Sequence, residues 1–338
     1  MVRYGIIGCG AWGRHYAAAI KKNPRLELVA IADVAEKTVE ALRQDFPGVT
    51  VSTDYRDVVS ATVDVIAVVS PNDLHHEHGM AVLNGGKHLL IEKPFGLSTG
   101  ECDEMIRLAK EKNLHLAVGH QFRLSSLWGL IKTMIDDGFI GEPRYALVEL
   151  SRNPYRLGAD GWRYDLKRVG DWIAEEPIHF LDLAVWYFEK YAKPVSIHAS
   201  ANSTDASRPE LQDNVGATLE FSNGGFAVVA QTLSMFEHHQ LVKIAGTKGA
   251  LWATWSGTMD RTLHPSFTLK AFDGKEVKDI PIEKITGELF ELEDQLNLMA
   301  DIIAGKAPVH CSGEDGCRAV ALSAATLESA KRKQPVVF

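Results

Sequence analysis

Residues 170–180 read GDWIAEEPIHF, with two carboxylates, Glu175 and Glu176, ahead of Pro177 and His179. Residues four apart share a helix face, so a helix over 175–190 predicts that Glu175 and His179 could act together on one proton. Histidine, with an ordinary pKa of about 6.5, exchanges protons readily near neutral pH. The same residues also fit a plainer arrangement. Carboxylates favour a helix N-terminus, proline is tolerated in the first turn, and Phe180, Leu181, Leu183, Val185 and Trp186 would surround a buried, satisfied His179. Glu176, about a hundred degrees round the helix from Glu175, is expected to be a plain capping charge. Lys93, in LLIEKPFG, presents a similar choice. It stands just past the end of a strand, where open parallel sheets bind ligands, but Glu-Lys-Pro alone also describes a surface ion pair beside a turn.

A third group carries a more specific chemistry. GIIGCGAWGRHY places Gly8, Gly10 and Gly13 between a strand and a helix. That spacing gives a tight turn, close approach of backbone to a pyrophosphate, and a helix N-terminus whose unpaired N–H groups receive negative charge. The next strand ends at Asp33, about twenty residues on, where the dinucleotide fingerprint requires an acid. Ala11 and Trp12 lie within the turn and join these residues as expected cofactor contacts. A carboxylate accepts hydrogen bonds from ribose hydroxyls and repels a 2′-phosphate. Val34, Ala35 and Glu36 supply nothing to hold that phosphate, so NAD is expected over NADP.

The elements that must position these groups follow two grammars. From residue 2 to about 120, RYGIIG, LELVAIAD, VDVIAVVS, HLLIEK and HLAVGH read as strands. Helices are expected at 12–22, 35–46, 74–85 and 98–112, and this alternation predicts a doubly wound parallel sheet. After a helix at 126–137, PRYALVELSR, VSIHASA, VGATLEF, GFAVVAQTLS, QLVKIAG and GALWATW read as antiparallel strands, with NGG at 223–225 as a hairpin turn. The expected fold class is α/β: an N-terminal dinucleotide-binding domain over 1–122 and an α+β domain with a large, mostly antiparallel open sheet over 123–338.

GIIGCGAWG, SPNDLHHEHGMAVLNGGKHLLIEKPFG and GHQFR together resemble the family of glucose-fructose oxidoreductase, inositol dehydrogenase and the rhizopine-catabolism oxidoreductases, the Gfo/Idh/MocA family. The resemblance continues through GWRYD into the 170–180 stretch. It implies a Rossmann domain, no metal, and hydride transfer between a nicotinamide and a carbinol carbon of a sugar, cyclitol or related polyol. It also implies oligomerisation, as a homodimer or homotetramer, through the open sheet. Lys93 matches the family's active-site lysine. Ser70, Pro71, Asn72 and His75 match the loop along the cofactor, with Glu92, Gln121 and Arg163 as further cofactor neighbours. Arg123, Tyr155, Trp162, Arg163, Glu175 and His179 join Lys93 as expected substrate contacts, and Asp165 and His239 are further candidates for the pocket wall. His76 and His78 are expected to be solvated.

Many members carry Asp-x-x-x-His-x-x-Asp after a glycine-rich turn. Here Glu175 replaces the first aspartate, His179 and Asp182 keep their places, and the glycine cluster is lost. On the resemblance, His179 is the general base, Lys93 stabilises the developing alkoxide, and Glu175 orients His179 or binds a substrate hydroxyl. Two other functions use the same cofactor domain: a glycosidase that oxidises a ring carbon transiently, and a non-catalytic NAD-binding regulator, which would need neither Lys93 nor His179.

Composition narrows the field further. A chain of 338 residues is long for one core. A formal net charge of -8 repels phosphate backbones, so nucleic acid is not an expected partner. Cys9, Cys102, Cys311 and Cys317 form no CxxC pair. They read as reduced thiols of a cytoplasmic protein. No basic segment followed by a 7 to 15 residue apolar run opens the sequence and no 18-residue apolar stretch occurs, so neither export nor membrane insertion is expected.

Overall fold

A computed structural model of the chain describes residues 1–338. Two compact units divide it. The first comprises Met1–His120, Gly158–Gly170 and Leu292–Val320; the second comprises Gln121–Leu157, Asp171–Glu291 and Ala321–Phe338. The division is interleaved, with the first crossing between units after His120. Two later segments, one of them carrying Trp162 and Arg163, belong with the cofactor-binding turn.

In the first unit the strands are β1 (Val2–Ile7), β2 (Leu26–Ala32), β3 (Thr50–Ser52), β4 (Val65–Val68), β5 (His88–Glu92) and β6 (Leu116–Gly119). All pair in parallel, in the order β3-β2-β1-β4-β5-β6. That order reverses between β1 and β4, and such a switch point is where doubly wound sheets bind ligands. β4 and β6 are buried along their whole length, as strands covered on both faces must be. Tyr16 and Ile20 of the Ala11–Lys22 helix pack into this core, and so do Leu292, Leu296 and Met299 from the distant C-terminal segment. Each buried Leu or Ile contributes about 2 kcal/mol. Tyr4 adds a hydrogen bond from its hydroxyl to the Leu296 carbonyl, 2.9 Å.

In the second unit the strands are β7 (Pro143–Arg152), β8 (Pro194–Asn202), β9 (Asn214–Phe221), β10 (Phe226–Thr232), β11 (His238–Gly246), β12 (Ala250–Gly257), β13 (Ser266–Phe272), β14 (Val277–Asp279) and β15 (Val336–Val337). They form one sheet, ordered β14-β13-β12-β11-β7-β10-β9-β8-β15. The expected turn at 223–225 joins β9 to β10, with Gly224 at φ 78°. The sheet is mostly antiparallel, as expected, and the one parallel pair is β10 with β7: the chain leaves β7, crosses through helices, and re-enters the sheet at β8 and β9 before β10. The helix Pro177–Phe188 lies over β7 and β10 and every one of its residues is buried, as its nearly continuous apolar sequence requires. No helix of the chain is long and apolar enough to cross a membrane.

The helix expected over 175–190 is broken. Trp172–Glu175 forms one short turn, Glu176 sits at φ -133°, ψ -47°, and Pro177 opens a new helix as its first residue. A residue before proline is pushed out of the helical region, while proline itself is well suited to the first helical position. Glu175 and His179 therefore lie on successive helices, and the i, i+4 geometry of a single helix does not apply to them.

Candidate active site

The glycine turn is shaped by contact. Gly8 has φ +87°, and a Cβ there would lie 2.6 Å from the Ser70 backbone nitrogen. A Cβ on Gly13 would lie 2.2 Å from the Gly8 carbonyl oxygen, whereas one on Gly10 would meet nothing within 4 Å. Gly10 caps the Ala11–Lys22 helix without a side chain, and the first turn carries no acid. The helix start is thus left to an external anion. At the end of β2 the Asp33 carboxylate accepts hydrogen bonds from the Cys9 and Ala35 N–H groups, 2.9 and 3.0 Å. A negative charge is thereby fixed beside the glycine turn. This cradle fits a dinucleotide: backbone for the pyrophosphate and a carboxylate for a ribose.

The Glu92-Lys93-Pro94 turn is held from below. Trp12 Nε1 and the Tyr16 hydroxyl both donate to Glu92 Oε1, at 2.7 and 2.6 Å, and Gln295 Nε2 donates to the Tyr16 oxygen at 2.7 Å. Burial and the Glu92 charge raise the Tyr16 hydroxyl well above the ordinary phenol range. Glu92 and the Trp12 indole N–H, expected as cofactor contacts, are engaged with each other and set the turn that carries Lys93. Asn72 likewise turns inward, donating from Nδ2 to the Val169 carbonyl at 3.0 Å, while Arg168 pairs with Asp73 at 3.6 Å. His78 is not solvated. It is buried with Nδ1 2.9 Å from Ser70 Oγ, and burial above all pushes it down to about 4. His76 sits 2.9 Å from Glu104. In the 158–170 segment the Arg163 guanidinium stacks on Trp162 at 4.7 Å. Asp165 caps the Leu166–Val169 turn through the Lys167 N–H, 3.0 Å.

In the second unit His179 is 3% exposed and lies in the first turn of its helix, its ring 4.7 Å from that of Phe122. Gln121 and Phe122 are buried beside Arg123. Arg123 forms a bidentate pair with Asp182, Nε–Oδ2 2.8 Å and Nη2–Oδ1 2.6 Å, and also stacks over Trp186 at 5.2 Å. Both side chains are almost fully buried, at 3% and 2% exposure. Arg123 is therefore a strut that ties residues 121–124 to the His179 helix. Asp171, half-buried, accepts a hydrogen bond from the Ala174 N–H at 2.8 Å and so sets the short helix that ends in the buried Glu175.

Glu176 is not a plain capping charge. It makes no side-chain cap bond, and its Oε2 pairs with Arg152 Nη1 at 3.2 Å. Arg152 reaches on to Asp260 at 3.3 Å, and Arg156 meets the same carboxylate at 3.5 Å. Tyr155 packs edge-on against Trp172 and under the Arg152 guanidinium. Glu288, 3.5 Å from Arg261, is pushed up to about 8 by burial and by the charges of Asp260 and Glu176. His239, offered by sequence for the pocket wall, bonds Ser256 Oγ at 2.9 Å.

Comparison with known proteins adds a second line. Residues 2–120 match the oxidoreductase family with an NAD-binding Rossmann fold, and residues 128–252 match the GFO/IDH/MocA C-terminal domain. The UDP-N-acetylglucosamine 3-dehydrogenase of Acidithiobacillus ferrooxidans is 30% identical over 330 residues, covering 95% of this chain and 94% of its own. The chain belongs to the Gfo/Idh/MocA oxidoreductase family. Inositol 2-dehydrogenase of Rhizobium meliloti, another relative, is 25% identical over 339 residues, covering 99% of this chain and 98% of its own. The solved aldose-aldose oxidoreductase of Caulobacter crescentus, 21% identical, superposes with a TM-score of 0.85 over 100% of this chain and 99% of its own. That likeness concerns the fold. As a Gfo/Idh/MocA member the protein is an oxidoreductase with an NAD-binding Rossmann domain.

Sequence reasoning missed three groups around this Gfo/Idh/MocA site. Tyr16 and Gln295 support Glu92 from helices 279 residues apart in sequence, and no local pattern could link them. Arg152 ends an ordinary-looking strand. Its signal was available, since an arginine at a buried strand end demands a carboxylate partner.

Proposed function

We propose that this chain is an NAD-dependent dehydrogenase that oxidises a secondary carbinol of a sugar, sugar derivative or cyclitol. The observation that carries the reading is the paired construction of two otherwise costly placements. Lys93 stands on a turn fixed through Glu92, and His179 is buried in a helix start fixed by the Pro177 break and the Arg123–Asp182 pair. Relatives named for inositol and for an amino-sugar nucleotide support the substrate class.

When bound, NAD supplies the hydride acceptor. Gly8, Gly10, Gly13 and the helix start would hold its pyrophosphate, and Asp33 a ribose. His179 takes the hydroxyl proton as the hydride leaves the same carbon, so that the carbinol becomes a carbonyl. The Lys93 ammonium stabilises the negative charge that develops on that oxygen. Glu175 binds a substrate hydroxyl or orients His179. Tyr155, Trp162 and Arg163 remain candidates for the pocket wall.

NAD is preferred over NADP in this reading because Asp33, held by two backbone N–H groups, repels a 2′-phosphate. Cofactor fluorescence titrations would give the lower dissociation constant to NAD, and tighter NADP binding would contradict the preference. The open face of the nine-stranded sheet exposes Phe226, Trp252 and Phe272, and we assign it to a homodimer or homotetramer. A cytoplasmic setting suits the four free cysteines. The test of the activity is a panel of sugars and inositols scored for NADH formation by the purified protein.

A further inference from the structure

His75 was expected along the cofactor, yet it is buried at 1% exposure and both its ring nitrogens face protein oxygens. Nδ1 lies 2.7 Å from the Pro94 carbonyl oxygen and Nε2 lies 2.9 Å from the Ser70 carbonyl oxygen. A carbonyl oxygen can only accept. A neutral imidazole carries one N–H and would turn a lone pair toward the second oxygen, whereas an imidazolium donates to both. Leaving a buried carbonyl opposite a lone pair loses the bond and keeps its desolvation cost.

The two carbonyls are also well placed. Ser70 is the residue whose backbone packs against Gly8, closely enough that a Cβ on Gly8 would lie 2.6 Å from its nitrogen. Pro94 follows Lys93 directly. One ring therefore joins the glycine turn to the lysine turn within the same unit.

We propose that His75 is a doubly protonated positioning residue, a buried imidazolium that clamps the Ser70 loop to the Lys93–Pro94 turn and so sets the cofactor cradle. The charged and titratable neighbours are His78 and Glu77 on its own helix, Asp73 with its partner Arg168 just before it, and Lys93 beside Pro94. A clamp of this kind is complete at low pH and is lost as pH rises and the imidazolium gives up a proton. It stands independently of the roles given to Lys93 and His179, because it concerns the cradle and not the reaction.

The experiment is nitrogen NMR of the full-length, 15N-histidine-labelled protein at neutral pH, with His75 assigned by its loss in His75→Gln. Protons on both ring nitrogens are expected, and one bare nitrogen would overturn the proposal. NAD affinity gives a second readout that does not depend on any substrate. His75→Gln should weaken NAD by about tenfold, as expected for a lost hydrogen bond to a charged group. That difference should shrink as pH rises and the wild type loses its imidazolium. A constant difference across the range would mean that His75 is a neutral packing residue.

Discussion

Arg152 Nη1 and Glu176 Oε2 stand 3.2 Å apart with side chains 10% and 9% exposed, and the carboxylate belongs to the residue at which the helix breaks between Glu175 and His179. The end of β7 thus anchors the joint that places both candidate catalytic groups.

Removing one partner of such a buried pair strands the other charge. Glu176→Ala should cost about 3–5 kcal/mol in urea unfolding. Arg152→Met should cost more, since it leaves both Glu176 and Asp260 without that cation. A single variant as stable as the wild type would show that the joint is held by packing alone.

The Arg123–Asp182 pair makes a parallel case inside one helix packing. Asp182→Asn keeps the volume but loses the charge, and Arg123→Lys loses the two-pronged geometry. Both should lower the melting temperature while leaving NAD affinity intact, because the glycine turn and Asp33 belong to the other unit. A raised NAD dissociation constant in a folded variant would contradict this separation.

Stability should also fall with pH in a definite window. Glu288 is raised from the ordinary carboxylate range to about 8 and Glu291, buried beside Thr286, to about 7. The folded chain then binds more protons than the unfolded chain above the ordinary glutamate value, so stability drops as pH rises toward the folded values. Glu288→Gln should flatten part of this slope between about pH 5 and about pH 8. An unchanged slope would place the ionised form of Glu288 in the native state.

Much of the fold was legible because the first unit uses strong local signals. Continuous apolar strands, a glycine turn and an acid at the end of β2 are all contiguous in sequence. The three-residue β3 and the docking of the helix Glu288–Ile303 into the first core were not legible. One is too short to show a period, and the other joins its core from nearly three hundred residues away. Lys93 and His179 are candidates by resemblance, and the residues that support them could not be named from sequence. Glu176 was read as a cap because its partner Arg152 is 24 residues distant. Nothing local reveals that Asp182, 59 residues on, holds Arg123. The i, i+4 argument for Glu175 failed on a residue that was in plain view, Pro177, whose effect on the preceding residue outweighed the helical pattern.

Steady-state NADH formation by the wild type, Lys93→Ala and His179→Ala, on whichever sugar or cyclitol the panel reveals, bears most directly on the dehydrogenase reading. Turnover by the wild type is predicted, with kcat lower by roughly 10²–10⁴-fold in each variant and NAD still bound. Near wild-type turnover in either variant, or no NADH from any polyol while NAD binds normally, would contradict it.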